Sequence, residues 1–466
     1  MTSAHYHEII DYLRRVTEAS QWENHVFTVG GCCRDEILGH EIKDVDLAVD
    51  LPGGGIGFAR WLYEKGLALK EPVTFPSFGT AMLRLSEFPD DEIEIVQTRA
   101  EKYTDSTRRD PTIVFGPIEA DCRRRDLTIN ALYYDISCGR LLDILGCSVD
   151  DIHNRVIRTP DAPDATFDDD PVRILRAIRL AARYGWEIEP ATFEAMSRNA
   201  ERLRIIRPER MRQEFDKMLV GPNPARAMEL LRLCGAMPYI MPELVPLVGL
   251  KQSKVHGGDV WEFTLRVLEK VPADLVLRLA ALLHDIAKPI CAHTASKGGV
   301  RFSGHERRCK PVINAAMRRL HYDRDVVDKV IFLVVNHNVT KTWGPEAAGM
   351  TDRQLRRLQY KCVTTVRFDR LMTLIEADNL SYDPPMPDQV PAIRRRSDEL
   401  RRNGEALFTF RRQLTVQQIR RLKNLPKNAD LQPFIDFLLT LAIENPHLPQ
   451  RTVIDRLKHF NPKSTR

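Results

Sequence analysis

The first 150 residues alternate short apolar or β-branched runs with turn residues. Val26 to Val29, Asp46 to Val49 and Glu92 to Val96 have the length and composition of strands. The run of three glycines after Pro52 is typical of a turn between elements. These patterns predict a small α/β unit that ends near Cys147.

The pattern changes after Pro171, where apolar residues recur every three or four positions. That spacing predicts an amphipathic helix, and its apolar positions are Val172, Leu175, Ala177, Ile178, Ala181 and Ala182. Helical periods then dominate to the C-terminus, and no internal repeat interrupts them. Gly221 to Pro224 predicts a helix break and Asp383 to Pro387 a linker, because proline disfavours helix in itself and in the preceding residue.

We therefore predict an α/β head followed by a mostly α-helical remainder in three parts. The boundaries are 1–149 for the head, 150–220 for a helical neck, 221–382 for a helical body and 383–466 for a tail. A length of 466 residues suits such a division, since one domain takes about 150 residues. The composition, 43% hydrophobic and 29% charged with mixed signs, excludes wholesale disorder.

Composition also bounds the cellular setting. The first 15 residues include Asp11 and lack the apolar core of a signal peptide, and no run approaches the roughly 18 apolar residues of a membrane span. Nine cysteines without CxxC pairs favour neither a disulfide framework nor a zinc ribbon. We expect a cytoplasmic protein with no membrane partner; oligomeric state is left open.

Basic charge is concentrated near the C-terminus. Residues 390–466 hold 16 Lys and Arg against 7 Asp and Glu, although the whole chain has a net charge of only +5. The clustered arginines are Arg394 to Arg396, Arg401, Arg402, Arg411, Arg412, Arg420 and Arg421. On charge alone, a solvated helix face and an RNA contact are equally open.

The first candidate chemistry follows the strand that ends at Val29. Gly30 and Gly31 at a strand-to-helix turn let backbone N–H groups approach a phosphate closely, and the helix N-terminus favours an anion. Arg34, about one helical turn later, reaches the same region. Two glycines alone are more typical of an ordinary tight turn, but their order and spacing with the acids that follow indicate a triphosphate subsite.

Three acids form a candidate metal site. If Asp44 to Asp46 lie in a strand, both carboxylates point to one face because side chains alternate. Glu94, in an apolar alternation, is the candidate third acid. Mg²⁺ prefers hard oxygen ligands and shares its coordination sphere between carboxylates and substrate phosphates, so these residues suit a two-metal site.

Two arginine-rich segments follow. Asp121 precedes three consecutive arginines, Arg123 to Arg125, whose planar groups suit phosphate. The helix predicted after Pro171 carries arginines three residues apart, which form a ridge along one face: Arg173, Arg176 and Arg179. A solvated basic helix face is the alternative interpretation of that ridge.

Taken together, these segments resemble the class II tRNA nucleotidyltransferases, the CCA-adding enzymes, which share their head with bacterial poly(A) polymerases. The resemblance runs from Val26 to Leu219 in the family's order and covers GGCCRD, KDVDLA, RRRDLTINAL, DDPVRILRAIR and ERMRQE. It implies a nucleotidyltransferase head of the polymerase-β type with a mixed sheet. It also implies that helical neck, body and tail together bind tRNA.

The resemblance implies roles for individual residues as well. Asp44 and Asp46 match metal ligands, and the residues that match triphosphate contacts are Gly31, Arg34 and Arg125. Asp170 and Arg173 match the acid and arginine of a motif written EDxxR, which select the base at its Watson–Crick edge. Arg176 and Arg179 match further nucleotide contacts. The leading Glu of that motif is Asp169 here, which shortens its reach by one methylene.

The implied reaction is attack of the tRNA 3′-hydroxyl on the α-phosphate of CTP or ATP at two Mg²⁺ ions, without a nucleic-acid template. The nearest alternatives are a poly(A) polymerase with the same head and a relative that adds only CC or only A. A non-catalytic tRNA-binding protein would be expected to lack Asp44 or Asp46, and both are present.

A different function is suggested by His284 and Asp285, which resemble the HD metal-dependent phosphohydrolases. Asp378 extends this resemblance, with His305 and His337 as additional candidate ligands. The chain would then be principally a hydrolase, or the region would be an inherited RNA-binding scaffold.

Phe263 argues against the hydrolase. HD sites of this kind normally begin with a histidine just before a Thr-Leu pair, and Phe263 stands there. Phenylalanine has no lone pair for a metal. His256 lies seven positions earlier, about two helical turns away. We therefore predict a degenerate HD site without phosphohydrolase activity.

Overall fold

The computed structural model describes residues 1–102, 112–294, 299–410 and 413–462. The chain divides into two compact units, Met1–Pro242 and Glu243–Arg466. The first unit contains both the predicted head and the predicted neck, so the division into four parts stays a prediction. Arg411 and Arg412 of the basic segment lie outside the described residues.

The first unit combines short strands with helices. Its strands are β1 (Val26–Val29), β2 (Val45–Val49), β3 (Val73–Phe75), β4 (Thr80–Leu83), β5 (Ile93–Gln97), β6 (Arg99–Lys102), β7 (Thr112–Phe115), β8 (Tyr133–Asp135), β9 (Arg140–Leu142), β10 (Val156–Ile157) and β11 (Glu187–Ile188). Its helices are α1 (Ser3–Thr17), α2 (Gly31–Ile37), α3 (Gly54–Glu64), α4 (Ile118–Arg123), α5 (Ser148–Asn154), α6 (Pro163–Asp169), α7 (Val172–Tyr184), α8 (Pro190–Asn199), α9 (Pro208–Leu219), α10 (Pro224–Leu233) and α11 (Met237–Ile240).

Seven strands form one mixed sheet in the order β3-β4-β5-β2-β1-β8-β9. β2 and β5 are parallel, whereas β1 is antiparallel to both β2 and β8. All four residues of β1 are buried, as expected of a central strand covered on both faces. The predicted mixed α/β head is therefore confirmed, with the strands shifted by at most one residue from the predicted runs.

The helix predicted after Pro171 is confirmed as α7. Its apolar face is buried, and it packs against α9 and α10. Gly185 ends the helix with a φ of 70°, a left-handed conformation that glycine adopts without strain. The predicted break is also confirmed, because α9 ends at Leu219 and α10 begins at Pro224.

Within its described residues, the second unit is helical apart from one short antiparallel strand pair, β12 (His293–Thr294) and β13 (Val300–Arg301). Its helices are α12 (Val260–Lys270), α13 (Leu275–Leu283), α14 (Lys288–Cys291), α15 (His305–Arg319), α16 (Arg324–Asn336), α17 (Asp352–Cys362), α18 (Thr365–Asn379), α19 (Gln389–Arg402), α20 (Val416–Lys423), α21 (Gln432–Glu444) and α22 (Gln450–His459). Throughout the described ranges, no helix combines the length and apolar character needed to cross a bilayer.

Candidate active site

The three predicted acids meet on the central strands of the head. Asp46 of β2 is paired in register with Glu94 of β5, its parallel neighbour. Adjacent strands are about 4.8 Å apart, and residues in register point to the same face. Asp44 lies just before β2, which begins at Val45. Asp44 therefore lies outside the strand, but the negative charge of Asp44 acts on both Asp46 and Glu94.

Electrostatics show how closely these carboxylates interact. Burial raises the pKa of Asp46 to about 6, and the charges of Glu94 and Asp44 add to the shift. Burial and Asp44 also raise the pKa of Glu94. A divalent cation between these groups would relieve the repulsion, and carboxylate oxygens are the ligands that Mg²⁺ prefers. The donor set therefore fits a divalent cation.

The glycine turn lies between two guanidinium groups. Gly30 has a φ of 82°, which favours glycine, and a Cβ there would lie 3.5 Å from Nη1 of Arg125. A Cβ at Gly31 would lie 3.5 Å from Nη2 of Arg34. The turn therefore leaves open the space into which both arginines point, as the predicted triphosphate subsite requires.

Arg34 is buried and held by several partners. Its Nε donates to Oδ1 of Asp35 at 2.9 Å, and its Nη1 donates to Oδ1 of Asn130. Its guanidinium carbon lies 5.3 Å from the ring centre of Tyr184, whose hydroxyl donates to Asp35. Tyr184 is the last residue of α7, so the neck helix helps to fix an arginine of the head.

Arg125 is held by a buried acid and a tyrosine. Its Nη2 donates to Oδ2 of Asp121 at 3.1 Å, and its Nε donates to the Tyr133 hydroxyl at 2.9 Å. Burial alone would raise the pKa of Asp121, but Arg125 and Arg124 outweigh it and bring that pKa to about 2. Asp121 is therefore a charged anchor that orients the arginine.

The arginine ridge of α7 is not a solvated basic face. Arg176 donates from Nε to Oδ2 of Asp126 at 2.6 Å, and Nε of Arg179 lies 2.7 Å from Oε2 of Glu214. Arg173 is only 7% exposed, and its Nη1 donates to the Thr166 carbonyl at 3.3 Å. Carboxylates and burial thus fix the three side chains, and the alternative interpretation from sequence is wrong.

Asp170, the predicted partner of Arg173 in base selection, lies at the start of α7. Its Oδ1 accepts from the backbone N–H of Val172 at 3.1 Å, and its Oδ2 accepts from Arg210 of α9 at 2.9 Å. The backbone N–H of Arg173 donates to the Asp170 carbonyl at 3.0 Å. The two residues are therefore adjacent at one end of the helix.

The residues that orient the arginines were not assigned roles from sequence. They are Asp35, Asp121, Asp126, Asn130 and Glu214, and all lie within or beside the arginine-containing motifs. The available signals were local: Asp35 directly follows Arg34, and Asp121 in α4 precedes Arg125, just beyond the end of that helix, by four residues. The remaining partners are joined by tertiary packing, which motif spacing does not encode.

The HD-like residues of the second unit also come together. Nε2 of His284 lies 3.1 Å from Oδ2 of Asp285 and 3.8 Å from Oδ1 of Asp378. Asp285, His305 and His337 are all buried, with one potential ligand atom each within 4.8 Å of the others. In the described ranges, no other group of three His, Cys, Asp or Glu side chains has its potential ligand atoms this close together. The three acids of the head are more widely spaced, which suits a cation shared with substrate phosphates.

A lysine and a phenylalanine complete the HD-like cluster. Nζ of Lys288 lies 2.6 Å from Oδ2 of Asp285 and 5.6 Å from the ring centre of Phe263. The Phe263 ring packs 5.9 Å from that of His284. The ring of His256 contacts Phe263 at 5.0 Å, and burial followed by the Lys288 charge lowers the pKa of His256 to about 4. Lys288 thus already neutralises the central carboxylate.

Comparison with protein families finds two matches, which together lie between residues 26 and 247. The family described as "Poly A polymerase head domain" matches residues 26–158. The family described as "Probable RNA and SrmB-binding site of polymerase A" matches residues 185–247. Together they cover the carboxylates, the glycine turn and the helices that follow α7.

Among known proteins, the chain is 31% identical over 363 residues to the Multifunctional CCA protein of Azoarcus sp., covering 75% of this chain and 82% of the relative. It is 35% identical over 220 residues to the mitochondrial CCA tRNA nucleotidyltransferase of Saccharomyces cerevisiae, covering 44% of this chain and 40% of the relative.

Solved structures share the fold across almost the whole chain. The Bacillus stearothermophilus CCA-adding enzyme in complex with CTP superposes with a TM-score of 0.66 at 21% identity, covering 98% of this chain and 97% of that one. The Thermotoga maritima CCA-adding enzyme complexed with tRNA_CCA gives 0.60 at 16% identity, covering 97% and 94%. The expected polymerase-β-type head followed by a helical remainder is thereby confirmed. By its sequence identity to full-length relatives and its fold, the chain is a nucleotidyltransferase and belongs to the class II CCA-adding family.

Proposed function

We propose that the protein adds C, C and A from CTP and ATP to the 3′ end of tRNA in a Mg²⁺-dependent reaction that uses no nucleic-acid template. One observation carries this proposal. The acids on β2 and β5 lie within electrostatic reach of arginines from the head and from α7, because Arg125 and Arg176 both lower the pKa of Asp46. This electrostatic coupling supports a single site in which the proposed metal, triphosphate and base subsites are neighbours.

Arg34 and Arg125 bind the triphosphate in this proposal. Both are planar donors already oriented by other side chains, so little side-chain entropy is lost when they engage phosphate oxygens. They neutralise charge on the pyrophosphate that leaves when the tRNA 3′-hydroxyl attacks the α-phosphate. Asp44, Asp46 and Glu94 hold the cation. When bound, Mg²⁺ lowers the pKa of the attacking hydroxyl and stabilises charge on the phosphates.

Asp170 and Arg173 select the base. A carboxylate accepts from the amino group of cytosine or adenine, whereas a guanidinium donates to ring nitrogens and carbonyl oxygens. Uracil and guanine present the reverse pattern at the corresponding positions. Each carboxylate offers about four acceptor sites, so Asp170 keeps capacity for a base beside its contacts to Val172 and Arg210.

A poly(A) polymerase and a CC-only or A-only enzyme would share this head. The relatives named above favour complete CCA addition, since they carry that activity in their names. The test is to incubate the purified chain and Mg²⁺ with tRNA transcripts that end at the discriminator base, at C and at CC, supplying one labelled nucleotide at a time. We expect C on the first two transcripts and A on the third, with UTP and GTP excluded. Repeated A addition to the first transcript would contradict the proposal.

A further inference from the structure

Asn130 lies between the two arginines that belong to different parts of the proposed nucleotide site. It ends the short helical turn Thr128–Asn130, five residues after the last of the three consecutive arginines, and is only 6% exposed. Its amide oxygen accepts from Nη1 of Arg34, and its amide nitrogen donates to Oδ1 of Asp126 at 3.1 Å. The Asn130 side chain is therefore a hydrogen-bond acceptor at its oxygen and a donor at its nitrogen.

The hydrogen-bonded chain continues beyond both partners. The second carboxylate oxygen of Asp126 accepts from Nε of Arg176 on α7 at 2.6 Å. Arg34 in turn donates to Asp35 at 2.9 Å. Asp126 holds a strongly lowered pKa, because the Arg176 charge and the Asn130 hydrogen bond outweigh burial. The chain Arg34–Asn130–Asp126–Arg176 thus runs unbroken from the glycine turn to the neck helix.

An amide is well suited to this position. A guanidinium only donates and a carboxylate only accepts, so a side chain that joins Arg34 to Asp126 must accept at one atom and donate at another. Asparagine does this at a fixed separation and without adding charge. Such networks in a low-dielectric interior are worth more than isolated hydrogen bonds when every member is satisfied.

We propose that Asn130 is a positioning residue that couples Arg34, at the triphosphate, to Arg176, at the base-selecting helix. The proposal rests on the function proposed above and extends it. Because the Asn130 amide holds Arg34 directly and Arg176 through Asp126, triphosphate binding and base recognition are not independent. Discrimination of C from U is therefore greater for the triphosphates than for the monophosphates, since only the triphosphates engage Arg34.

The first test measures dissociation constants of CTP, UTP, CMP and UMP with Mg²⁺ for the wild type and Asn130→Ala. The variant is expected to bind CTP roughly 10- to 100-fold more weakly, as loss of buried hydrogen bonds to charged groups predicts. In the variant, the ratio of the UTP to the CTP dissociation constant should also equal the ratio of the UMP to the CMP dissociation constant. The matched control is Thr128→Val, which removes a buried 2.7 Å hydrogen bond to Asp151 from the same turn without touching either arginine.

A second variant separates positioning from general destabilisation. Asn130→Asp keeps an oxygen that accepts from Arg34, but it places a second carboxylate next to Asp126. When one proton is bound between the two carboxyl groups, their hydrogen bond is restored. The other charged groups around this point are Arg125, Arg173, Arg176 and Asp35. The ratio of the variant's KM for CTP to that of the wild type is expected to fall as pH is lowered from 8 to 6. For Asn130→Ala the same ratio is expected to stay constant.

The outcomes are distinct. If the wild type binds CTP and Asn130→Ala matches it in affinity and in C-over-U preference, the coupling is overturned. If Asn130→Ala does not fold, the pH dependence of the Asn130→Asp ratio decides, and a constant ratio overturns the coupling. If the wild type binds neither CTP nor ATP, the proposed function fails and the inference with it.

Discussion

Asp46 in the candidate metal site lowers the free energy of unfolding of the metal-free head at neutral pH. Burial and two neighbouring carboxylates raise its pKa from 3.8 to about 6. At neutral pH the group is charged in both the folded and the unfolded chain, so folding brings that charge into an unfavourable place. A bound cation would offset this cost.

The first prediction concerns the stability of metal-free protein. Asp46→Asn is expected to raise the free energy of unfolding at pH 7 to 8 by roughly 1–3 kcal/mol, because it removes a buried charge and its repulsion by Glu94 and Asp44. The gain should shrink as pH falls from about 6 towards 4, where the wild-type carboxylate is protonated in the folded state and then in the unfolded state. Thermal melts in EDTA at several pH values measure it. A gain that is constant with pH would contradict the assigned cause.

The second prediction concerns activity. Asp44→Ala or Asp46→Ala is expected to lower nucleotide incorporation by on the order of 10²–10⁴-fold, since a bound cation contributes several kcal/mol of transition-state stabilisation. Binding of tRNA should be largely retained, because these acids hold metal and not RNA. Asp90→Asn, at an exposed acid of the head, is the control. Normal turnover by either alanine variant would refute the metal assignment.

Single residues also show where sequence reasoning stops. Asp46 and Glu94 could be paired in advance because strand alternation dictates which face a carboxylate occupies. The contact between Arg176 and Asp126 could not, because 50 residues separate them and only packing of α7 on the head joins them. Motifs thus identified the candidate substrate-binding groups, but not the groups that hold them in place.

At the scale of elements, α7 carries Arg173, the arginine proposed to select the base, and contacts the head through Arg176 and Tyr184. Its apolar face was predictable from periodicity, but the burial of Arg173 was not, since arginine usually lies on the exposed face. Arg173 is held where a base edge can meet it only if the start of α7 keeps its position.

The third prediction follows from this placement. Arg173→Ala is expected to lower C and A addition by about 10²-fold, or to permit UTP and GTP, because the guanidinium is the proposed donor to the base edge. Initial rates with each nucleotide measure it. Arg198→Ala is the control, since Arg198 forms only exposed ion pairs with Asp164 and Glu194. Wild-type rates and selectivity for Arg173→Ala would place selection elsewhere.

The arginines of the basic helix α19 differ in their ion pairing. Arg394, Arg396 and Arg401 form ion pairs with Asp369, Asp352 and Asp398. Arg395 and Arg402 are exposed, and no ion pair of either is recorded among the described residues. The clustered arginines therefore differ in how much charge they offer to RNA.

The fourth prediction separates these two sets. Replacing Arg395 and Arg402 by glutamine is expected to weaken tRNA binding. It should also reduce the slope of log affinity against log salt by about 1.5, because the loss of two phosphate contacts means that fewer counterions are released on binding. Replacing Arg394 and Arg396 should change the slope less, since their charge is already partly neutralised. Equal slopes for both double variants and the wild type would return this helix to an ordinary solvated face.

At the scale of the whole molecule, the two units differ in what the sequence revealed. The head follows from strand alternation and glycine turns, whereas the helical second unit presents histidines whose role depends on tertiary surroundings. Burial, then the charges of His284 and Lys341, hold the pKa of His337 well below its usual value. Lys288 forms an ion pair with Asp285, and the Phe263 ring packs against His284.

The fifth prediction is that the second unit lacks phosphohydrolase activity. The full chain is expected to show no turnover of 2′,3′-cyclic phosphate or p-nitrophenyl phosphate with Ni²⁺, Co²⁺ or Mn²⁺, because Phe263 supplies no ligand and Lys288 already pairs with Asp285. Asp285→Ala is the control for contaminating enzymes. Robust turnover that this substitution abolishes would show that the HD-like site is active.

The central claim is tested most directly by sequencing the 3′ ends of tRNA transcripts after reaction with all four nucleotides and Mg²⁺. Starting from a transcript that ends at the discriminator base, the account predicts products that end in CCA and grow no further. Asp46→Ala should leave the transcript unchanged. Products that stop at CC, or that carry a run of A directly on the discriminator base, would contradict it.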